Sequence, residues 1–149
     1  MATATQLPTM VLKPPSGFRY DKTKDGWVLV EDVLLTGEPT LSLSGFLEEG
    51  ESSVLGEVML ERGKANKAGE LGPLAGQHHA EALLDQQDQI PVEWRGYYLV
   101  CPGTVWRVSG GYRRVAYLYW YGRQWKLDFC WLGNDYWSAD DRLVCLPQV

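Results

Sequence analysis

The sequence predicts an α+β domain with two helices on one side of an antiparallel sheet. Two observations predict it. Glu57–Ala68 and Leu74–Gln89 carry apolar residues at helical spacing, separated by the breakers Gly69, Gly72 and Pro73. From Tyr97 onward the apolar period changes to two, with turn residues at short intervals. The chain has 149 residues, 45% of them apolar, which is enough for one domain with a packed core.

The elements follow in order. Residues 1–16 are polar and contain Pro8, Pro14 and Pro15, so they read as a loosely tethered arm. Phe18–Val33 reads as a hairpin, with Phe18-Arg19-Tyr20 and Trp27–Val33 flanking a turn at Lys22–Gly26. Residues 34–53, rich in Gly, Ser, Glu and Pro, read as a long connection. The first helix is weakly amphipathic, with Val58, Leu60, Lys64 and Ala68 on one side and Glu61 placed to meet Lys64. The second places Ala80, Leu83, Leu84 and Gln87 together and stops at Pro91. Tyr97–Val100 and Thr104–Val108 read as strands interrupted by Pro102-Gly103. Val115–Tyr121 and Gln124–Leu132 are strands joined by a tight Gly122-Arg123 turn, and Arg142–Leu146 closes the chain as a last strand.

Composition excludes several functions. The net charge of −5 argues against a dedicated nucleic-acid binder, and Tyr112–Arg142 is itself nearly neutral. A small β-domain stacking bases on an aromatic face remains the alternative reading. No apolar run reaches the length of a membrane span, so no membrane insertion is expected. Met1–Met10 lacks the pattern of a secretory signal, which makes the cytoplasm the expected location. Cys101, Cys130 and Cys145 form neither a CxxC pair nor a Cys/His cluster, so free thiols, buried or half-buried, are expected rather than a disulfide or zinc site.

His78 and His79 are adjacent, so on a helix they diverge by about 100° and cannot share a metal. One is expected to be packed and the other to face solvent. An enzyme would draw on His79 with a cysteine, or on Asp140 and Asp141. No convergent set of nucleophile, base and stabiliser appears, and no phosphate loop, metal motif or cofactor motif accompanies them. The expectation is therefore a non-enzymatic protein without a cofactor.

Strand alternation divides the C-terminal region into two faces. Trp125, Leu127, Phe129 and Trp131 share one face with Leu118 and Trp120. Tyr117, Tyr119 and Tyr121 share the other with Lys126, Asp128 and Cys130. Tyrosine supplies a large, rigid contact area with a polar tip, as binding surfaces require, but it also favours strands for packing reasons. The segment Gly133–Asp141, GNDYWSADD, has the composition of recognition loops and of ordinary polar turns alike.

The stretch GQHHAEALLDQQDQIPVEWRGYYLVCPGTVWR, followed by YLYWYGRQWKLDFCWLGNDYWSADDRLV, resembles a group of small proteins from candidate-phyla bacteria. In these, an IPxEWR…YLVFPGTVWR stretch precedes a tail rich in Trp, Tyr, Asp, Gly and Ser. That tail is similar to the variable region of target proteins of diversity-generating retroelements. The resemblance covers about residues 17–149 and is strongest from Gln77 on. It departs at Cys101, where the group has Phe, and at Cys145, where it has Arg. It implies a C-type lectin-like fold, with a hypervariable ligand-binding surface whose codons are rewritten by a reverse transcriptase that errs at template adenines. The implied partner is a protein or other macromolecular ligand.

An asparagine codon altered only at its adenines never encodes Lys, Trp, Met, Gln or Glu. All ten glutamates lie at or before Glu93, whereas four aspartates lie after it. Aversion to strands does not explain that asymmetry, because aspartate is the poorer strand residue. Gln124 and Lys126 break the rule: Gln124 can be scaffold beside Trp125, whereas Lys126 stands at an expected variable site. On this reading Trp106, Trp120, Trp125, Leu127, Phe129, Trp131, Leu132 and Leu143 are scaffold. The displayed ligand-binding set, within a diversified region of about 112–141, is Tyr112, Arg114, Tyr117, Tyr119, Tyr121, Arg123, Asp128, Cys130, Gly133, Asn134, Asp135, Tyr136, Ser138, Ala139 and Asp140.

Overall fold

A computed structural model of the chain describes residues 7–12, 19–65, 73–133 and 135–147. In chain order the elements are β1 (Met10–Val11), β2 (Val28–Glu31), β3 (Thr40–Ser44), β4 (Ser53–Leu55), α1 (Gly56–Ala65), α2 (Gln77–Asp85), β5 (Tyr98–Arg107), β6 (Arg113–Tyr121), β7 (Gln124–Trp131), β8 (Tyr136–Ser138) and β9 (Asp141–Cys145). The main sheet runs β1-β3-β9-β5-β6-β7, with β2 also on β5, and β4 pairs separately with β8. The fold is α+β, with two helices and a mostly antiparallel sheet.

The helices lie on opposite faces of the sheet, not on one side as the sequence suggests. Ala80, Ala82 and Leu83 of α2 cluster with Leu99, Cys101, Ala116, Leu118, Trp125 and Val144. Met59 and Leu60 of α1 cluster with Val100, Val115, Leu132, Trp137, Leu143 and Cys145. Neighbouring residues of β5, β6 and β9 thus fall into different clusters, as alternation requires. Leu99, Val100 and Cys101 of β5, which alternate between the two clusters, are all buried, so this stretch is continuously apolar.

The buried stripe of α1 is Gly56, Met59, Leu60 and Gly63, a spacing of i, i+3, i+4, i+7. The expected stripe is therefore rotated. Val58 is half-buried and Lys64 exposed, and Lys64 pairs with Glu31 at 2.9 Å; Ala68 lies outside the described residues. Glycine substitutes for an apolar side chain at Gly63 because Leu143 and Leu74 already occupy the space, 3.1 Å from where its Cβ would be.

Four further expectations are corrected. The hairpin expected over Phe18–Val33 does not form across residues 19–33; Phe18 lies outside the described residues. Lys22–Asp25 forms a 3-10 turn, and β2 pairs antiparallel with β5 across the sequence. The reason is hydrogen bonding: the buried Glu81 carboxylate accepts the Arg19 and Tyr20 backbone N–H groups at 2.6 and 2.9 Å, so that segment is held by α2. Residues 34–53 contain β3, which inserts between β1 and β9. Leu7–Leu12 is no loose arm, since Met10 and Leu12 are buried and Trp94 Nε1 donates to Pro8 O. Pro102-Gly103 does not end a strand. It lies in a register shift of one continuous β5, where a Cβ on Gly103 would stand 2.6 Å from the Leu74 carbonyl oxygen.

The last strand also differs in direction, because β9 runs parallel to β5 and antiparallel to β3. The β6–β7 turn is as expected. Gly122 and Arg123 have φ of 64° and 67°, the left-handed pair of a two-residue hairpin.

His79 is the packed histidine. Its Nδ1 accepts the Gly76 backbone N–H at 3.0 Å, at the start of α2. His78 is only half-exposed, with its Nε2 3.0 Å from Asp32 Oδ2. Burial pushes the His79 imidazole down from 6.5 to about 4. The unfolded chain therefore takes up this proton first. The associated stability is complete above pH 6.5 and is lost as the pH falls towards 4, a loss of about 3 kcal/mol. Urea denaturation of the parent and of His79→Gln between pH 7 and pH 4 measures it, and the parent should lose more stability across that window than the variant.

Candidate ligand-binding surface

The register of β6 on β7 fixes which side chains share a face. Tyr117 faces Asp128, Tyr119 faces Lys126, Tyr121 faces Gln124 and Val115 faces Cys130. Near Val115 this face is covered by α1 and by Trp137 of β8. Toward Tyr121 the described residues leave it open, and that uncovered half carries the tyrosines. Tyr121 is 67% exposed, Tyr136 69% and Tyr98 48%.

Two concavities occupy the open half. The smaller, about 220 Å³, is lined by Tyr98, Tyr117, Cys130, Asp135, Tyr136, Trp137 and Asp141. The larger, about 640 Å³, is lined by Arg95, Gly96, Tyr97, Tyr98, Tyr117, Tyr119, Trp120, Tyr121 and Asp140. Tyr98 and Tyr117 belong to both and stand edge to face at 6.1 Å. Tyr117 and Tyr119 are 5.6 Å apart in a tilted pair. The surface is thus continuous from Tyr121 to Tyr136.

A search of family models, of curated proteins and of solved structures finds no match for this chain.

The electrostatics of the smaller cleft follow from its burial and its acids. The Tyr117 hydroxyl is pushed up to about 12, first by burial and then by Asp128 and its neighbours. Burial raises the Cys130 thiol strongly, and Asp141, Asp135 and Asp128 add to it. The Asp141 carboxyl is raised by burial, against the Ser138 backbone N–H that it accepts at 2.9 Å. Cys130 is half-buried and its Sγ lies 3.6 Å from Val115 O, so it forms floor rather than display. Cys101 and Cys145 are buried free thiols.

The structure brings most of the expected display residues together. Tyr117, Tyr119, Tyr121, Cys130, Asp135, Tyr136 and Asp140 line the two clefts, and exposed Asp128 sits opposite Tyr117. Arg123 is exposed at the β6–β7 turn. Ala139 is exposed and Ser138 half-buried beyond the cleft walls. Asn134 lies outside the described residues. Tyr112, Arg114 and Gly133 lie elsewhere. Arg114 is opposite Trp131 in the register and stacks on its ring at 3.9 Å, on the face away from the tyrosines. Tyr112 meets the same ring edge to face at 5.6 Å, and Gly133 borders a separate hollow with Tyr112, Arg113 and Glu57.

Trp131 corrects the scaffold set. It is 40% exposed, because β7 is an edge strand in the described sheet and extends past the helix that covers Trp125. Leu127 and Phe129 are half-buried, and Phe129 packs against Trp27 at 5.4 Å. Trp106, Trp125, Leu132 and Leu143 are buried as expected, and Trp120 is partly buried against Trp125.

Sequence reasoning missed Arg95, Tyr97, Tyr98 and Asp141. Tyr98 reaches the site because its strand pairs in parallel with β9, which sets Tyr98 beside Asp141. Parallel pairing leaves no local sequence signal. The residue type of Tyr98, a tyrosine preceding a buried Leu-Val pair, was the one available cue.

Proposed function

We propose that the chain is a non-catalytic ligand-binding protein whose C-terminal sheet displays a Tyr- and Asp-rich recognition surface on a C-type lectin-like scaffold, diversified by a retroelement reverse transcriptase. One observation carries the reading: the open half of the β6–β7 face and the Asp135–Asp140 segment form one continuous solvent-facing surface of tyrosines and carboxylates. Large aromatic groups left in solvent contribute little to the fold and much to a contact. Arg123 adds support. A non-glycine residue at φ 67° carries strain of about 1 kcal/mol, in a turn where stability favours Gly or Asn. Sequence choice at that tip follows something other than stability.

A library randomised at the exposed positions Tyr121, Asp128, Asp135, Tyr136 and Asp140, with the tryptophans and the half-buried Tyr117 and Tyr119 fixed, tests the display role. Most members should stay folded, since surface changes typically move stability by about 0.5 kcal/mol or less, and members should differ in what they capture. A library that mostly fails to fold would make these residues structural and overturn the reading. Sequencing the DNA around the gene tests diversification. The expected finding is a reverse transcriptase gene with a near-copy of the Tyr112–Arg142 segment that differs at adenines.

A further inference from the structure

The smaller cleft is more specific than the surface around it. Its walls carry three phenol rings, Tyr98, Tyr117 and Tyr136, and two carboxylates, Asp135 and Asp141, and no cationic side chain among the described residues lines it. We propose that this cleft takes the guanidinium or ammonium group of an arginine or lysine side chain on a protein ligand. The inference rests on the recognition reading above and names the chemistry that the surface selects.

Three arguments carry it. Phenol faces attract a cation through the ring quadrupole, and they do so best where the cation is partly desolvated. The carboxylates supply the opposite charge at the same place; Asp128, Asp135 and Asp141 all add to the rise that burial gives the Cys130 thiol on the cleft floor. An anionic ligand group would meet repulsion from the same carboxylates. A metal ion is a poor fit, because no three His, Cys, Asp or Glu side chains among the described residues are grouped to hold one.

The cleft by itself has the size of a side-chain group. At about 220 Å³ the cleft lies below the roughly 300–1,000 Å³ of pockets that enclose complete small ligands. It opens across Tyr98 and Tyr117 into the larger trough toward Tyr121. A ligand whose cation enters the cleft has room to continue along that trough, as a polypeptide does. The larger trough does contain Arg95, but this guanidinium is already stacked on Trp120 at 3.8 Å, so it does not compete for the cleft. The chain's net charge of −5 favours encounter with a basic partner.

The test is an NMR titration of the full chain with three probes: n-propylguanidinium chloride, its neutral counterpart n-propylurea, and the peptide acetyl-Gly-Gly-Arg-Gly-Gly-amide. The guanidinium probe should give saturable shifts at Tyr98, Tyr117, Asp135, Tyr136 and Asp141. n-Propylurea should not, and added salt should weaken the effect. The peptide should shift the same residues and also Tyr119 and Tyr121. Asp135→Asn and, separately, Tyr136→Leu should each weaken guanidinium binding by about two- to fivefold. Both positions are exposed, so neither variant is expected to unfold.

Equal shifts from the neutral probe, or none from the cation, would overturn the proposal. Entry of the small cation without the peptide would overturn its assignment to a protein side chain. These failures are separable from failure of the recognition reading. If the cation probe fails while members of the randomised library fold and capture targets, only the occupant is wrong; if library members do not fold, the surface itself is structural.

Discussion

Trp125→Ala is expected to destabilise the protein by about 3–5 kcal/mol, as large-to-alanine changes in a core do. The side chain is 2% exposed and packs in the cluster beneath α2. It meets Trp120 edge to face at 5.8 Å; the backbone N–H of residue 125, which donates to Gln87 Oε1 at 2.9 Å, is kept in the variant, so the loss is that of the ring. Its indole Nε1 is buried and meets no acceptor among the described residues. The contribution is therefore apolar, and Trp125→Phe should recover most of the loss, because it removes an unsatisfied donor along with part of the ring. Trp131→Ala is the control. That ring is 40% exposed, and its loss should cost under about 1.5 kcal/mol. Chemical denaturation of the three variants beside the parent measures all of this. Equal losses at Trp125 and Trp131 would show that the assignment of core and periphery on β7 is wrong.

Gly56→Ala is the second large effect, expected at about 3 kcal/mol or more, at the upper end for overpacking. A Cβ at this position would stand 1.5 Å from the Leu132 carbonyl oxygen and 2.8 Å from Trp137 Nε1. The first is backbone, so no rotamer change relieves it. Gly56 N–H also donates to the Asp135 carbonyl at 3.1 Å, which ties the start of α1 to the loop that bears Asp135 and Tyr136. The substitution should therefore do two things: lower the melting temperature and displace the wall of the smaller cleft. Thermal melting reads the first, and backbone chemical shifts of Asp135 and Tyr136 read the second. A variant with parental stability and unmoved shifts would show that the helix does not press on this loop. By the same geometry, α1 positions the candidate site without contributing a side chain to it.

The locally determined parts of the fold are legible in the sequence. The β6–β7 hairpin follows from two alternating runs about a Gly122-Arg123 turn, and its register then sets Tyr117, Tyr119 and Tyr121 on one face with Asp128. The same alternation places Arg114 with Trp120 and Leu118, away from the tyrosines, as the register confirms. Both helices follow from apolar spacing; Gly69 and Gly72, the expected breakers between them, lie outside the described residues.

What tertiary structure alone decided is which surfaces meet. Periodicity identifies an apolar face but not its partner, so it gave two helices without showing that they occupy opposite sides of the sheet. Long-range pairing has no local signature. The insertion of β3, the parallel docking of β9 on β5 and the capture of Arg19 and Tyr20 by Glu81 depend on hydrogen bonds between residues far apart in the chain. Those pairings decide that Trp131 lies at an edge and that Tyr98 and Asp141 complete the cleft. The sequence by itself determines the chemistry of the surface, tyrosines and aspartates on a tryptophan-backed sheet. Only the packing of α1 and β8 over half of that sheet decides which of those residues remain in water.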